Sequence, residues 1–408
     1  MILKKWKNFC LCVTDERALL PADAEPASSL FTPLVFPVWR EPQKNRGWYA
    51  ISSVDELFEE DGCSLLLPPA THDSCHELRE FVAEHGACVL NTAFSSAYDF
   101  LQTSRKQNGL RLTLVGLGDV GGSLLTALKL LGKEIAELRI YDPNEKLCRR
   151  YEMELNQVLS TDGTPLPRVT VCPREQLFDC DLFLFAASRG VPPVGSQIQD
   201  VRMAQFALNR EMLKPYAQQA RQTGFQGLFC QISDPVDQLS RVVFWESNCD
   251  EQGKFDGKGL LPEQVQGFGL GVMAARAAYW AEKEGVEFSC GQVYGPHGAG
   301  LTVANDPVNY DKALSSRLTE LTVTANLKIR DLGYKPYIAP ALSSAAASIL
   351  QLLRGQEHYG AVPIGATYFG CRSKMTPLGL CLSREKMHPE LFKKLQDVYQ
   401  ALEEFPYD

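Results

Sequence analysis

A glycine-rich segment between an apolar strand and an apolar helix carries the clearest chemical signal of the sequence. Gly116, Gly118 and Gly121 form a GxGxxG pattern directly after the apolar run 110–115. In a strand–turn–helix unit the first glycine allows the tight turn, the second lets backbone N–H groups approach a pyrophosphate, and the third lets helix and strand pack closely. The helix N-terminus adds the positive end of its dipole. The segment therefore predicts a nucleotide-binding loop that also involves Asp119 and Val120; the alternative is a structural turn without a ligand.

An acidic residue at the end of the next predicted strand indicates which nucleotide this loop would bind. Asp142 directly follows the run 137–141. A carboxylate at this place can accept hydrogen bonds from both ribose hydroxyls, and it would repel a 2′-phosphate. The predicted cofactor is therefore NAD rather than NADP.

The segments that follow the glycine loop continue to alternate between strands and helices. Residues 180–187 and 225–232 are apolar runs of the kind found in buried parallel strands, and a helix is predicted from about 201 to 216. The pattern predicts a doubly wound parallel sheet of the α/β class, whose strand carboxyl ends are where ligands bind. Helices at 312–330, 337–353 and 389–404, with strands at 368–370 and 377–382, predict an α+β domain after it.

Composition excludes several classes of protein. The chain has 408 residues, of which 41 are basic and 49 acidic, and its net charge of −8 disfavours nucleic acid and anionic membranes as partners. No apolar run approaches the roughly 18 residues that a membrane span needs. The thirteen cysteines are scattered, without a CxxC pair or a Cys/His cluster at zinc spacing. They predict reduced thiols, no metal site and a cytoplasmic location.

The first 108 residues carry no recognisable motif, but they have an α/β pattern of their own. Strands are predicted at 9–13, 48–52, 65–67 and 87–90, with helical spacing at 72–85 and a capping box at 53–56. The run 31–38 contains Pro33 and Pro37, so it is predicted to be irregular or an edge strand. The polar segment 102–109 marks a domain boundary. The role of the residues before it stays open between a lid, an oligomer contact and a partner site.

From residue 110 to the carboxyl terminus, the order of motifs resembles the lactate/malate dehydrogenase family. That family has the nucleotide fingerprint and strand-ending acid, then small residues at a strand end, a loop arginine and a helix-starting asparagine. It continues with an Asn-Pro-Val-Asp strand end, a G-x-G-x-x-L-D-x-x-R helix start and a G-x-H-G turn. The matching residues here are Ala186-Ala187-Ser188, Arg202, Asn209, Asp234-Pro235-Val236-Asp237, the run 267–276 and Gly295-Pro296-His297-Gly298.

The resemblance implies hydride transfer between NAD(H) and a 2-hydroxy/2-oxo acid or a related alcohol. By matching position, His297 would be the proton donor and acceptor, Arg276 would clamp the substrate carboxylate, and Arg202 would polarise the carbonyl. Each has a structural alternative: a turn histidine, an arginine in a buried salt bridge and a solvated helix-start residue, respectively. The resemblance also implies cofactor contacts by Ala187, Ser188, Asn209 and Ser233.

Two residues depart from the family pattern at the predicted catalytic centre. Met273 stands where the family has the aspartate that orients the histidine, and Asp234 stands where it has an asparagine. Methionine can neither accept that hydrogen bond nor stabilise an imidazolium. One hypothesis is that Asp234 partly replaces the missing partner of His297, although its charge would repel an ordinary 2-oxo acid. The alternative is that both changes mark a decay of the chemistry.

The loop 189–200 departs as well, because it is longer than the family pattern. Arg189 is either a contact for a second substrate carboxylate or a surface residue.

Together these patterns predict three units. Residues 1–108 would be an α/β extension, 109–236 a Rossmann NAD-binding domain, and 237–408 an α+β substrate domain. The predicted function is that of an NAD-dependent oxidoreductase acting on a small carboxylate. The alternative is a catalytically silent NAD-binding protein that keeps the fold. Family analogy predicts a homodimer or homotetramer.

Overall fold

The computed structural model describes residues 2–103, 106–189 and 201–407, with only the backbone at positions 201, 202 and 204. Strands and helices alternate along most of this part of the chain. The strands are β1 (Ile2–Trp6), β2 (Phe9–Val13), β3 (Glu25–Pro26), β4 (Leu34–Val38), β5 (Trp48–Ile51), β6 (Ala87–Asn91), β7 (Leu110–Val115), β8 (Ile135–Tyr141), β9 (Arg168–Val171), β10 (Leu182–Phe185), β11 (Leu228–Gln231), β12 (Val265–Gly267), β13 (Gln292–Tyr294), β14 (Thr302–Ala304), β15 (His358–Ile364), β16 (Thr367–Thr376) and β17 (Gly379–Leu382).

The helices include a π-helical segment, Pro340–Ala347, and 3-10 turns such as Val54–Phe58 and Cys63–Leu66. The α-helices are α1 (His76–His85), α2 (Ala97–Gln102), α3 (Asp119–Leu131), α4 (Glu145–Asn156), α5 (Val201–Gln222), α6 (Val236–Ser247), α7 (Leu270–Lys283), α8 (Lys312–Asp331), α9 (Ser348–Leu353) and α10 (Pro389–Glu403).

Six parallel strands form the nucleotide-binding type of sheet that the sequence predicts. Their spatial order is β9-β8-β7-β10-β11-β12, so the first strand in the chain, β7, lies in the middle and the order reverses beside it. All five pairings are parallel. This is the doubly wound arrangement, in which a crevice opens at the carboxyl ends of the strands on either side of the reversal. The predicted fold class is confirmed.

Alternate side chains of the central strands are buried on opposite faces of the sheet. Phe183 and Phe185 of β10 pack in a core with α5 and α6, which contribute residues such as Leu213 and Leu239. Leu182 and Leu184 lie in the other core with Leu124 of α3 and residues of α9. Burial on both faces explains why these strands are continuous apolar runs in the sequence.

The sheet continues beyond β12 through the carboxyl-terminal strands into the amino-terminal layer. The order from β12 is β15-β16-β17-β5-β6-β4-β2-β1-β3, with β5 parallel to β17 at Tyr49 and Leu380. The predicted boundary at residue 236 lies before β12, which still pairs with β11. The boundaries stay predictions, but the hydrogen-bonded sheet crosses both of them.

Two predictions in the amino-terminal layer are wrong. Residues 34–38 form β4, a buried internal strand between β2 and β6, rather than an irregular or edge segment. Pro33 precedes this strand and Pro37 is its penultimate residue, so at most one N–H is lost from the pairing, near its end. Residues 65–67 belong to no strand; the turn Cys63–Leu66 buries Leu65 and Leu66.

A buried carboxylate joins the amino-terminal layer to the nucleotide-binding part. Glu263 is fully buried just before β12, and its carboxylate oxygens accept the N–H of Trp48 at 2.8 Å and the N–H of Gly47 at 3.0 and 3.1 Å. Burial raises the pKa of Glu263 to about 8, although these hydrogen bonds and the charge of Arg46 act to lower it. The amino end of β5 is thus held by a group that binds a proton more tightly in the folded protein.

We expect Glu263→Gln to change the pH dependence of stability. A carboxyl group whose pKa is raised on folding contributes stability that is fully present below its unfolded pKa and is lost as the pH rises through its folded pKa. The unfolding free energy of the wild type minus that of the variant should therefore fall as the pH rises from about 5 to about 9. Urea unfolding followed by tryptophan fluorescence measures this difference.

Glu282→Gln, which removes an exposed carboxylate from α7, is the matched control. The unfolding free energy of the wild type minus that of Glu282→Gln should not change with pH over the same range. A flat difference for Glu263→Gln as well would contradict the burial argument.

Candidate active site

The carboxyl ends of β7, β10 and β11 meet at one edge of the sheet, where most of the predicted cofactor-binding residues lie. Gly116 follows β7, Ala187 and Ser188 follow β10, and Ser233 follows β11. The Oγ of Ser233 donates a hydrogen bond to the carbonyl oxygen of Ala187 at 2.6 Å. This bond fixes the ends of β10 and β11 against each other.

A side chain at each of the three loop glycines would meet different surroundings. Gly116 has a φ of +93°, and a Cβ there would lie 2.5 Å from the backbone nitrogen of Ala187. A Cβ on Gly121 would lie 1.9 Å from the carbonyl oxygen of Gly116, so only glycine permits this contact between α3 and the turn. A Cβ on Gly118 would meet no atom within 4 Å. Gly118 therefore faces open space at the amino end of α3, where a phosphate group would fit.

The two acidic residues near the glycine loop have different surroundings. The Oδ2 of Asp142 accepts the N–H of Leu117 at 2.9 Å, and its Oδ1 accepts the N–H of Asn144 at 2.9 Å. Each oxygen keeps a lone pair for a further donor. Asp119, at the first turn of α3, pairs with the exposed Lys335 at 3.0 Å. The neighbouring Val120 packs against the core below the loop.

Asn209 of α5 links the ends of β10 and β11 through its buried amide. Its Nδ2 donates to the carbonyl oxygen of Asp234 at 2.7 Å and lies 3.3 Å from the Oγ of Ser188. Its Oδ1 accepts the N–H of Arg189 at 3.0 Å. Since Asn209 is fully buried, its amide serves the backbone of this edge, and a cofactor contact through it would be indirect.

His297 and Asp234 lie next to each other although they are far apart in the chain. His297 follows β13 in the turn that begins at Gly295, and its Nδ1 lies 3.3 Å from the Oδ1 of Asp234. A Cβ on Gly269 would come within 2.7 Å of that same Nδ1, so the imidazole packs directly on the glycine before α7. Among the described residues, the buried Nδ1 makes no hydrogen bond of good geometry, so its contact with Asp234 is that of an ion pair.

The pair changes the proton affinity of both groups. Burial would lower the pKa of His297, but the charge and hydrogen bonding of Asp234 outweigh it, and the pKa is raised above 6.5. The side chain of Asp234 is about half exposed at 54%, and the neighbouring His297 lowers its pKa. Both shifts favour the state in which an imidazolium lies beside a carboxylate.

Arg276 lies within electrostatic range of the pair, and no described carboxylate is within 4.0 Å of its guanidinium. Its Nη1 is 3.8 Å from the sulfur of Met273, which is buried. Burial lowers the pKa of Arg276, although the charge of Asp234 acts to raise it. The salt bridge offered as the structural alternative for Arg276 is thus absent from the described part of the chain. The position leaves a cation that a substrate anion would satisfy.

Asp237 is a residue of this site that the sequence argument quoted but gave no role. Its Oδ2 accepts the backbone N–H of His297 at 2.9 Å, and only 2% of the residue is exposed. The only sign of a role for Asp237 in the sequence was its carboxylate within the Asp-Pro-Val-Asp strand end. Its partner, a backbone N–H sixty positions away, left no pattern in the sequence.

Some predictions fall outside the described residues. The loop 190–200 and the side chain of Arg202 are among them. Arg189 is described and exposed. Over the described ranges, no three His, Cys, Asp or Glu residues are grouped as metal ligands, and no helix is long and apolar enough to cross a membrane.

Comparisons with known proteins give sequence relatives of one kind. An L-lactate dehydrogenase of Staphylococcus saprophyticus is 28% identical over 192 residues, which are 46% of this chain and 54% of the relative. An L-lactate dehydrogenase of Mycoplasmopsis pulmonis is 24% identical over 191 residues, or 46% of this chain and 55% of the relative. The chain thus spans about half the length of these curated relatives. No protein-family model matches it.

Solved structures with the same fold cover more of the chain. A lactate dehydrogenase from a Medee basin deep-sea metagenome library aligns with a TM-score of 0.59 at 18% identity, over 72% of this chain and 97% of its own. The malate dehydrogenase of Archaeoglobus fulgidus, solved with NADH, aligns with a TM-score of 0.59 at 17% identity, over 72% and 98%. In sequence the chain is thus similar to L-lactate dehydrogenases, and in fold it matches lactate and malate dehydrogenases, which supports a divergent member of that family.

Proposed function

We propose that the chain is an NAD-dependent oxidoreductase that interconverts a 2-hydroxy and a 2-oxo acid, or a related alcohol and its carbonyl compound. One observation carries this proposal. A histidine–carboxylate pair, His297 and Asp234, lies at the sheet edge that also bears the glycine loop, and within electrostatic range of Arg276, which has no carboxylate partner among the described residues. Proton transfer, anion binding and nucleotide binding would therefore take place side by side.

The residues at the sheet edge fit a dinucleotide. The open space at Gly118 and the amino end of α3 would receive the pyrophosphate, and the free lone pairs of Asp142 would accept ribose hydroxyls. Ala187, Ser188 and Ser233 would line the path towards His297. Bound NAD(H) would supply or accept the hydride.

His297 would move the proton that accompanies the hydride. With Nδ1 directed at Asp234, Nε2 is the nitrogen left to give a proton to a carbonyl oxygen or to take one from a hydroxyl. The Nδ1–Oδ1 separation of 3.3 Å is longer than a short charge-assisted hydrogen bond. Asp234 would therefore do part of what an orienting aspartate does at the position of Met273.

Arg276 would bind the substrate carboxylate, and Arg202 would act from the loop side as the second cation. A guanidinium without a protein carboxylate partner is available for two parallel hydrogen bonds to such a group. The negative charge of Asp234 opposes an anionic substrate, but pairing with protonated His297 neutralises it. We therefore propose that a small carboxylate binds best while His297 is protonated.

A second candidate is a catalytically silent NAD-binding protein that retains the dehydrogenase fold. Met273 favours it, because its buried, uncharged thioether cannot stabilise an imidazolium as a carboxylate would. The two candidates predict the same NADH binding and differ only in turnover. A family-like homodimer or homotetramer is part of either proposal.

We expect Gly118→Ala to weaken NADH binding by about tenfold or more, because a methyl group would stand where the pyrophosphate approaches the backbone. The fold should tolerate it, since the added Cβ meets no atom within 4 Å and φ is −67°. Fluorescence titration with NADH measures the dissociation constant, and thermal unfolding checks the fold.

Gly62→Ala is the matched control, because a Cβ there also meets no atom within 4 Å and the backbone is extended. It should change neither the NADH affinity nor the melting temperature. Equal NADH affinity of Gly118→Ala and the wild type would contradict the placement of the cofactor.

We expect the wild type to oxidise NADH with at least one member of a 2-oxo acid panel, and Asp234→Asn to lower kcat/KM by about 100-fold or more. The asparagine keeps the shape but can no longer stabilise the imidazolium. Asp397→Asn, which removes an exposed carboxylate from α10, should retain full activity.

The pH profile provides a further check on the same reaction. Reduction needs protonated His297, so the rate should be highest at low pH and fall as the pH rises through the raised pKa of His297. Tight NADH binding without turnover on any acid would favour the silent protein. Full activity of Asp234→Asn would remove Asp234 from the mechanism.

A further inference from the structure

The first turn of α6 places a second carboxylate beneath the catalytic turn. Asp237 is the second residue of α6, and its Oδ2 accepts the backbone N–H of His297 at 2.9 Å. Only 2% of the residue is exposed, and its Oδ1 is buried without a hydrogen-bond partner among the described residues. One oxygen of the carboxylate therefore binds the backbone of the histidine turn, while the other has no partner among the described residues.

Titratable groups surround Asp237 on several elements. His297 and Asp234 act on it from the turn after β13 and from the end of β11. Cys371 of β16 and Tyr407 near the carboxyl terminus also lie within its electrostatic range. Burial raises the pKa of Asp237 to about 7, although the N–H of His297 acts to lower it.

His297 in turn is influenced from three sides. Asp234 contacts its Nδ1 from the end of β11, Asp237 holds its backbone from α6, and Arg276 acts from α7. Both carboxylates favour the imidazolium, whereas the arginine opposes it. Since Met273 contributes no charge, Asp234 and Asp237 are the negative groups that the described residues provide here.

We propose that Asp237 is a positioning residue for His297, which fixes the backbone of the histidine turn and, when ionised, helps hold the proton on the imidazole. The usual orienting aspartate would then be replaced by two carboxylates. Asp234 acts on the ring and Asp237 acts through the backbone. The catalytic meaning of this proposal rests on the proposed dehydrogenase function, but the effect on proton affinity does not.

The test measures the proton affinity of His297 directly. The wild type and Asp237→Asn, both labelled with ¹³C-histidine, are titrated by NMR. The resonance of His297 is assigned among the six histidines as the one that is missing from His297→Asn. Asparagine keeps an oxygen that can accept the N–H of His297 but carries no charge. We expect the pKa of His297 to fall by about half a unit or more in the variant.

Two comparisons separate charge from structure. Asp237→Glu keeps a negative charge at this position, so the pKa of His297 in this variant should lie close to that in the wild type. Glu263→Gln removes another buried carboxylate that accepts backbone N–H groups, and it should leave the titration of His297 unchanged. An unchanged pKa of His297 in folded Asp237→Asn, or an equal shift in Glu263→Gln, would overturn the proposal.

A measurement on the wild type covers the case in which Asp237→Asn does not fold. The resonance of His297 should titrate over a wider pH range than a single independent proton allows, because the coupled Asp237 titrates near pH 7, and a curve that fits one independent proton would overturn the proposal. In an active enzyme, Asp237→Asn should move the falling limb of the reduction profile to lower pH. If the pKa of His297 shifts in Asp237→Asn but the wild type turns over no substrate, only the proposed function is refuted. If the wild type turns over substrate but the pKa of His297 does not shift in Asp237→Asn, only the role of Asp237 is refuted.

Discussion

Burial of the central strands on both faces is the constraint on which the rest of the structure depends. Leu112, Leu114, Phe183 and Phe185 fill the cores above and below the sheet. With side chains on both faces committed to packing, the groups that could bind a ligand emerge where the strands end. The glycine loop, the small residues after β10 and Asp234 after β11 therefore share one edge because the strands beneath them are apolar.

That edge couples the predicted cofactor half of the site to the predicted proton-transfer half. The backbone oxygen of Asp234 accepts a hydrogen bond from Asn209, while its side chain meets His297. One residue is thus tied through its main chain to the side of the proposed cofactor site and through its carboxylate to His297. Under the proposed correspondence with the family pattern, a carboxylate stays at the histidine while its source moves from helix α7 to the strand end.

Local patterns could be predicted from the sequence, whereas long-range partners could not. The glycine spacing and the apolar runs predicted the sheet, because both are patterns of consecutive or closely spaced residues that can be read along the chain. The His297–Asp234 contact was suggested only through the family resemblance, and the link from Asp237 to the backbone of His297 was missed altogether. A backbone N–H is the same in every residue but proline, so no sequence pattern indicates which of them a distant carboxylate will meet.

The amino-terminal layer extends the sheet of the dehydrogenase-like part. Tyr49 pairs across to β17, and Glu263 accepts the N–H groups of Trp48, the first residue of β5, and of Gly47 before it. Without the layer, β17 would become an open edge of unpaired backbone groups, and Glu263 would lose the donors that satisfy it. The first hundred residues thus complete the sheet edge at β17 and the hydrogen bonding of Glu263 in the remainder of the chain.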